Sequence, residues 1–155
     1  MDLILWRHAE AFDNEDGLME DLDRPLTVRG EKQAARMAIW LNRHLPQGLR
    51  VFASPARRTE QTVQALGRKY KLRAELLPDG QGSDLLGLVQ WPKMQGPVLV
   101  VGHQPMLGQA VSQALGLSSP ECSVRKGAVW WLRHRHRLDA DQTILVAVQS
   151  PELLS

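Results

Sequence analysis

The sequence predicts a three-layer α/β/α sandwich built on a mostly parallel sheet with an antiparallel edge strand. Short apolar runs alternate with segments whose apolar residues recur at helical spacing, which is the pattern of strands joined by helical crossovers. After Gly116 that alternation stops, and Ala128–Arg133 and Thr143–Val148 follow as two strand-like runs joined by a polar turn near Asp139–Asp141, the mark of a hairpin. The 155 residues suit a single domain spanning 1–155, long enough to bury about two-thirds of its unfolded surface in one core.

Each element has its own local reason. Leu3–Trp6 is apolar throughout, so it reads as a strand buried on both faces, ended by Arg7 and His8. Ala11 to Arg24 is polar and contains Gly17, a loop that runs to Pro25. Thr27 is placed to cap a helix reaching about His44, with Ala34, Ala38, Leu41 and Leu45 on one face and Ala35 beside them; Pro46 and Gly48 end it. Arg50–Ala53 is a second strand. Ser54 is expected as N-cap and Pro55 as the first residue of a helix to about Tyr70, with Thr59, Val63, Leu66 and Tyr70 as its buried stripe. On that helix Arg58 flanks the stripe and Arg57 points almost away from it. Ala74–Leu77 reads as a third strand, Pro78–Gly82 as a turn, and Ser83 or Asp84 as the cap of a short helix to about Trp91. Val98–Val101 is the most β-branched run and the expected central strand. A helix from about Met106 to Leu115 follows, closed by Gly116.

Composition excludes several classes. Hydrophobic residues at 43% and charged residues at 23% are ordinary for a globular protein. No apolar run is long enough to span a membrane and no secretory leader is recognisable, so a cytoplasmic protein without membrane contact is expected. Cys122 is the single cysteine, which excludes an internal disulfide and leaves no cysteine pair for a metal. A net charge of +2 and a pI near 9.0 are too mild to imply nucleic acid. Charge is unevenly spread: acids crowd into Glu10–Asp23, and arginines and histidines into Arg125–Arg137. The basic stretch, with Trp130 and Trp131, has the ingredients of a single-strand grip. It reads better as an edge hairpin with alternating charges and with His134 and His136 turned to solvent.

Three strand ends carry the chemistry: Arg7-His8, Ser54-Pro55-Ala56-Arg57-Arg58, and Gly102-His103. In a parallel sheet such ends share one rim, which gathers two histidines and two or three arginines. Guanidinium forks match phosphate oxygens, and a helix beginning beside them adds free N–H groups, so a compact anion is the expected ligand. A neutral imidazole among those cations can serve as a nucleophile or a base, and the cations themselves keep it neutral. No zinc spacing and no phosphate-binding glycine loop accompany them, so neither a metal nor a nucleotide cofactor is expected.

Arg7-His8-Ala9, Ser54-Pro55-x-x-Arg58-x-x-Gln61-Thr62 and Gly102-His103 resemble the three blocks of the histidine phosphatase superfamily, also called phosphoglycerate mutase-like. With Arg24-Pro25-Leu26-Thr27-x-x-Gly30 they are most similar to its SixA-type phosphohistidine phosphatases. The resemblance covers roughly Asp2 to Leu115. It implies His8 as nucleophile forming a phosphohistidine, Arg7, Arg58 and His103 as holders of the phosphoryl oxygens, and Arg24 as a substrate-binding residue at the rim. It also asks for a carboxylic acid after the third strand, for which Asp79 is the candidate general acid and Asp84 the fallback. A weakly filled acid role favours a phosphoramidate, whose protonated imidazole leaves readily. The short Lys71–Gly96 segment leaves little room for a roof over the pocket, which favours a phosphohistidine presented on a histidine-phosphotransfer type protein. A small phosphomonoester, or phosphate or phosphoprotein recognition without turnover, are the other readings. A monomer is expected, with no nucleic-acid partner.

Overall fold

The computed structural model describes residues 1–154. The N-terminal apolar run lies inside one six-stranded sheet. The strands are β1 (Asp2–Arg7), β2 (Arg50–Ala53), β3 (Lys71–Leu72), β4 (Val98–Gly102), β5 (Val129–Arg137) and β6 (Ala140–Gln149), in spatial order β3-β2-β4-β1-β5-β6. The first four in that order run parallel; β5 is antiparallel to β1, and β6 to β5. Both neighbours of β1 are strands and both its faces are covered, which is why Leu3, Ile4, Leu5 and Trp6 are wholly buried.

Alternation along the central strands sorts side chains between two layers. Ile4, Trp6, Leu99 and Val101 pack with helices α1 (Val28–His44) and α2 (Arg57–Gln64), while Leu3, Leu5, Val98 and Val100 pack with α3 (Gly82–Val89) and α4 (Met106–Leu115). Thr27 caps α1 by accepting from the Gly30 N–H at 3.0 Å. α4 begins and ends where its pattern predicts, with Gly116 left-handed at its end.

Six local readings are corrected. α2 starts at Arg57, not Pro55: Ala56 is its N-cap, and the Ser54 side chain is engaged elsewhere. α2 also stops at Gln64, because Ala65 and Leu66 tighten into three-residue bonds and Gly67 turns left-handed at φ 70°. Ala74–Leu76 is a 3₁₀ turn that drives Leu76 into the core, and the third strand is the exposed pair Lys71–Leu72. Gln81 caps α3, and Asp84, three residues on, accepts from the Gln81 N–H at 2.8 Å; neither Ser83 nor Asp84 is the cap. On α1 the buried stripe takes in Gln33 and Met37 and leaves Ala35 exposed. The hairpin is longer than its apolar runs, and His134 is half-buried, bonded to Thr143 Oγ1 at 3.0 Å, while His136 is exposed.

Candidate active site

Sheet register assembles the site before any side chain acts. β1 and β4 pair Arg7 with Gly102, so His8 and His103 each stand one residue beyond the last rung. The His8 N–H donates to the Gly102 carbonyl at 3.1 Å, and the Ser54 N–H to that of Val101 at 3.1 Å. Three segments far apart in sequence are thus tied by backbone bonds, and the two imidazole centroids lie 5.4 Å apart.

His8 is held in one tautomer. Its Nδ1 lies 2.7 Å from the Ala9 carbonyl oxygen, an atom that can only accept, so Nδ1 carries the proton and Nε2 keeps its lone pair. The Ala9 N–H donates to Thr62 Oγ1 at 3.1 Å and the Gly127 N–H to the His8 carbonyl at 3.0 Å, which fixes the backbone on both sides of the ring. Burial, with the guanidiniums of Arg58, Arg7 and Arg24, brings the His8 imidazole down to about 3. Burial, with His8 and Arg58 beside it, also lowers His103 to about 3. Both rings are neutral at neutral pH.

The cations are positioned by partners that leave donors over. Arg58 is 3% exposed; its Nη1 donates to the Asp21 carbonyl at 2.8 Å and its Nη2 to Asp21 Oδ2 at 3.1 Å. Asp21 accepts from Arg24 Nε as well, at 3.0 Å, and Arg24 Nη1 donates to the Phe12 carbonyl at 2.9 Å. Arg7 Nη1 donates to the Val124 carbonyl at 2.8 Å, and Ser54 Oγ lies 2.8 Å from His103 Nε2. Among the described residues, three buried side-chain polar atoms lack any hydrogen-bond partner: Arg7 Nε, Arg58 Nε and His103 Nδ1. All three residues line the same cavity of about 210 Å³, together with His8 and Arg24. Three guanidiniums, from Arg7, Arg24 and Arg58, beside two neutral imidazoles in one small cavity describe a cradle for a phosphate-sized anion.

The structure brings Arg7, His8, Arg24, Arg58 and His103 together and leaves Arg57 exposed. Asp79 is exposed and does not line the cavity, although its neighbour Pro78 does; Asp84 is occupied at the start of α3. Among the described residues no carboxylate lines the cavity. Among the described residues no group of three His, Cys, Asp or Glu side chains is arranged to hold a metal ion. Sequence reasoning missed Gln104 and Lys126, which line the cavity, Asp21, which braces Arg58, and the bond from Ser54 to His103.

The remaining motif residues turn out to be fasteners. Gln61 Oε1 accepts from the Leu26 N–H at 2.7 Å, Thr62 donates to the Arg58 carbonyl at 2.7 Å, and Gln33 Oε1 accepts from the Glu10 N–H at 3.0 Å. At Gly30 a Cβ would overlap the Glu10 carbonyl oxygen, so only glycine lets the first turn of α1 seat against the segment after His8.

Comparison with known proteins agrees with this geometry. Residues 3–80 match the Histidine phosphatase superfamily (branch 1). The chain is 33% identical to the phosphohistidine phosphatase SixA of Escherichia coli, over 73% of each chain. It is 29% identical to a SixA homolog of Haemophilus influenzae, over 77% of this chain and 80% of that one. It superposes on the structure of the protein histidine phosphatase SixA complexed with tungstate with a TM-score of 0.77 at 25% identity, covering 97% of both chains. A neutral histidine in a ring of cations, a sheet that reproduces the fold, and these matches lead to one assignment: the chain belongs to the histidine phosphatase superfamily, branch 1, and is closely related to its SixA-type phosphohistidine phosphatases.

Proposed function

We propose that this enzyme hydrolyses phosphohistidine carried by a signalling protein of the histidine-phosphotransfer type, through a phosphorylated His8. The observation that carries the reading is the cavity itself: it sets an unprotonated His8 Nε2 among the guanidiniums of Arg7, Arg24 and Arg58, and among the described residues no carboxylate lines it.

In the first step the lone pair of His8 Nε2 attacks phosphorus and the P–N bond of the substrate breaks. The departing imidazole, already protonated on its other nitrogen, takes the bonding pair and leaves neutral. Arg7, Arg58 and His103 hold the three phosphoryl oxygens, with Arg24 at the rim, and they stabilise the charge that spreads over those oxygens in the transition state. In the second step water attacks the phosphorus on His8. The Nδ1 proton shared with Ala9 makes phosphorylated His8 a cationic leaving group, so it too departs neutral, and orthophosphate leaves as H₂PO₄⁻. Neither step needs a proton donor. An alkyl phosphate does need one, because its leaving oxygen would otherwise depart as alkoxide, and among the described residues no carboxylic acid lines the cavity to supply it.

The short Arg73–Gln81 connection brings only Pro78 to the cavity lining, which suits a phosphohistidine on a folded surface. The SixA proteins among its relatives support the same substrate class. The test is phosphate release, in chelator, from a phosphohistidine-bearing protein, with phosphoglycerate and p-nitrophenyl phosphate alongside, for the native chain and His8→Ala. Selective release from phosphohistidine that vanishes in His8→Ala is expected. Faster release from either ester than from phosphohistidine refutes the substrate, and release that survives His8→Ala refutes the nucleophile.

A further inference from the structure

β3 is so short that it covers only the Phe52–Ala53 half of β2, and the Arg50–Val51 half has no strand on its outer side. Along that open edge lies a cavity of about 710 Å³, which shares no lining residue with the catalytic one. Five cations line it, Arg50, Arg68, Lys69, Lys71 and Arg73, and among the described residues no carboxylate does. Among the described residues only Arg73 of these five forms an ion pair, with Glu75. In a chain whose net charge is only +2, this is a concentrated like-charge cluster, and an anion would relieve its self-repulsion.

Two of the five share one aromatic ring. The guanidinium carbons of Arg50 and Arg73 sit 5.8 and 5.9 Å from the Phe52 ring centroid, an arrangement that holds each head in place while its N–H edges remain available. Arg68 Nε donates to Asn42 Oδ1 at 2.8 Å. Between the cations the lining is apolar, from Leu49, Val51 and Tyr70. A lone phosphate fits the 210 Å³ catalytic cavity and would fill little of this one. Volume, multiple charge and an apolar flank together describe a ligand with several phosphates joined to a flat ring.

We propose that this groove is a second, non-catalytic site that binds a nucleoside polyphosphate, with the phosphates on Arg50, Lys69, Lys71 and Arg73 and the base against the Tyr70 flank. The site is independent of which phosphorylated group the catalytic cavity turns over.

The test is calorimetric titration of ATP in chelator into the full-length His8→Ala chain, where turnover through His8 is absent, with inorganic tripolyphosphate and adenosine as separate arms. ATP is expected to bind, orthovanadate in the catalytic cavity is expected to leave that binding unchanged, and tripolyphosphate should bind more weakly than ATP. Lys69 and Lys71 are exposed, so K69E/K71E should melt like its parent, and in the native background keep its phosphatase turnover, while ATP affinity falls roughly tenfold or more. Arg50→Gln, also at an exposed position, gives a second reading of the same loss. No binding of ATP at about 1 mM, displacement by vanadate, or unchanged affinity in both variants overturns the site. Equal affinity for tripolyphosphate, or tighter binding of an acidic peptide or single-stranded nucleic acid, overturns the nucleoside polyphosphate as its ligand.

Discussion

Arg58→Ala should separate activity from stability. In the proposed reaction Arg58 is a preorganised donor to the phosphoryl oxygens, and deleting one such donor costs about 10²–10³ in turnover, or about 2.7–4 kcal/mol of transition-state stabilisation. The folded state loses far less. The ion pair with Asp21 has a partner whose side chain is 54% exposed, so it is worth at most about 1 kcal/mol. Packing of the three methylenes in the arginine stem adds about 2 kcal/mol. Against these stand the desolvation of a guanidinium that is 3% exposed and its repulsion with Arg7 and Arg24. The sides nearly cancel, and the unfolding free energy of Arg58→Ala is expected to fall by no more than about 1 kcal/mol. The assay pairs steady-state phosphate release from a phosphohistidine protein with urea unfolding of the same preparations. A loss of turnover below tenfold refutes the role of Arg58, and a fall in stability as large as the catalytic loss refutes the balance of charges.

Other outcomes follow from the same geometry. Because His8 and His103 are held at about 3 in the fold against 6.5 when unfolded, each takes up a proton on unfolding below pH 6.5, and stability falls with pH by about 1.4 kcal/mol per unit for each ring. Between pH 6 and 5 the carboxyls of Asp2 and Asp21, both held below the usual range, contribute little, so His8→Asn should flatten the slope by one proton in urea titrations; an unchanged slope contradicts the buried neutral ring. Gly30→Ala forces α1 away from the Glu10 carbonyl and should cost roughly 3 kcal/mol or more by thermal unfolding, with turnover reduced in whatever remains folded; a loss below about 1 kcal/mol shows that the contact yields. Asp79→Asn should change release from both phosphoramidate and p-nitrophenyl phosphate by less than about threefold, since its carboxylate lies off the cavity; a large loss confined to the ester would assign it the acid role.

The parts of this fold that were legible in sequence are those whose cause is local. Leu3–Trp6 and Val98–Val101 can be buried strands and little else, Thr27 caps in place, and parallel strands must bring His8, Arg58 and His103 to one rim. What escaped is tertiary. Ser54 followed by proline has every local mark of a helix cap, yet its hydroxyl is taken by His103, 49 residues away. Asp21 looks like one acid among many in a solvated loop until Arg58 reaches it, and Lys126 looks like part of a basic hairpin until the chain folds it over the cavity. Gln61, Thr62 and Gly30 belonged to recognisable motifs, but only the structure gives them work, as latches on the backbone beside His8.

The hydrogen bond from His8 Nδ1 to the Ala9 carbonyl closes that nitrogen to phosphorus. In the proposed reaction the enzyme is therefore regiochemically defined even where its clients are not, because only one of the two positional isomers of phosphohistidine can form on it. In a mixture probed with antibodies that distinguish the isomers, a trapped intermediate carries its phosphoryl group on Nε2, so an Nδ1-phosphohistidine signal belongs to the protein being dephosphorylated, while an Nε2 signal is shared with any client of that isomer.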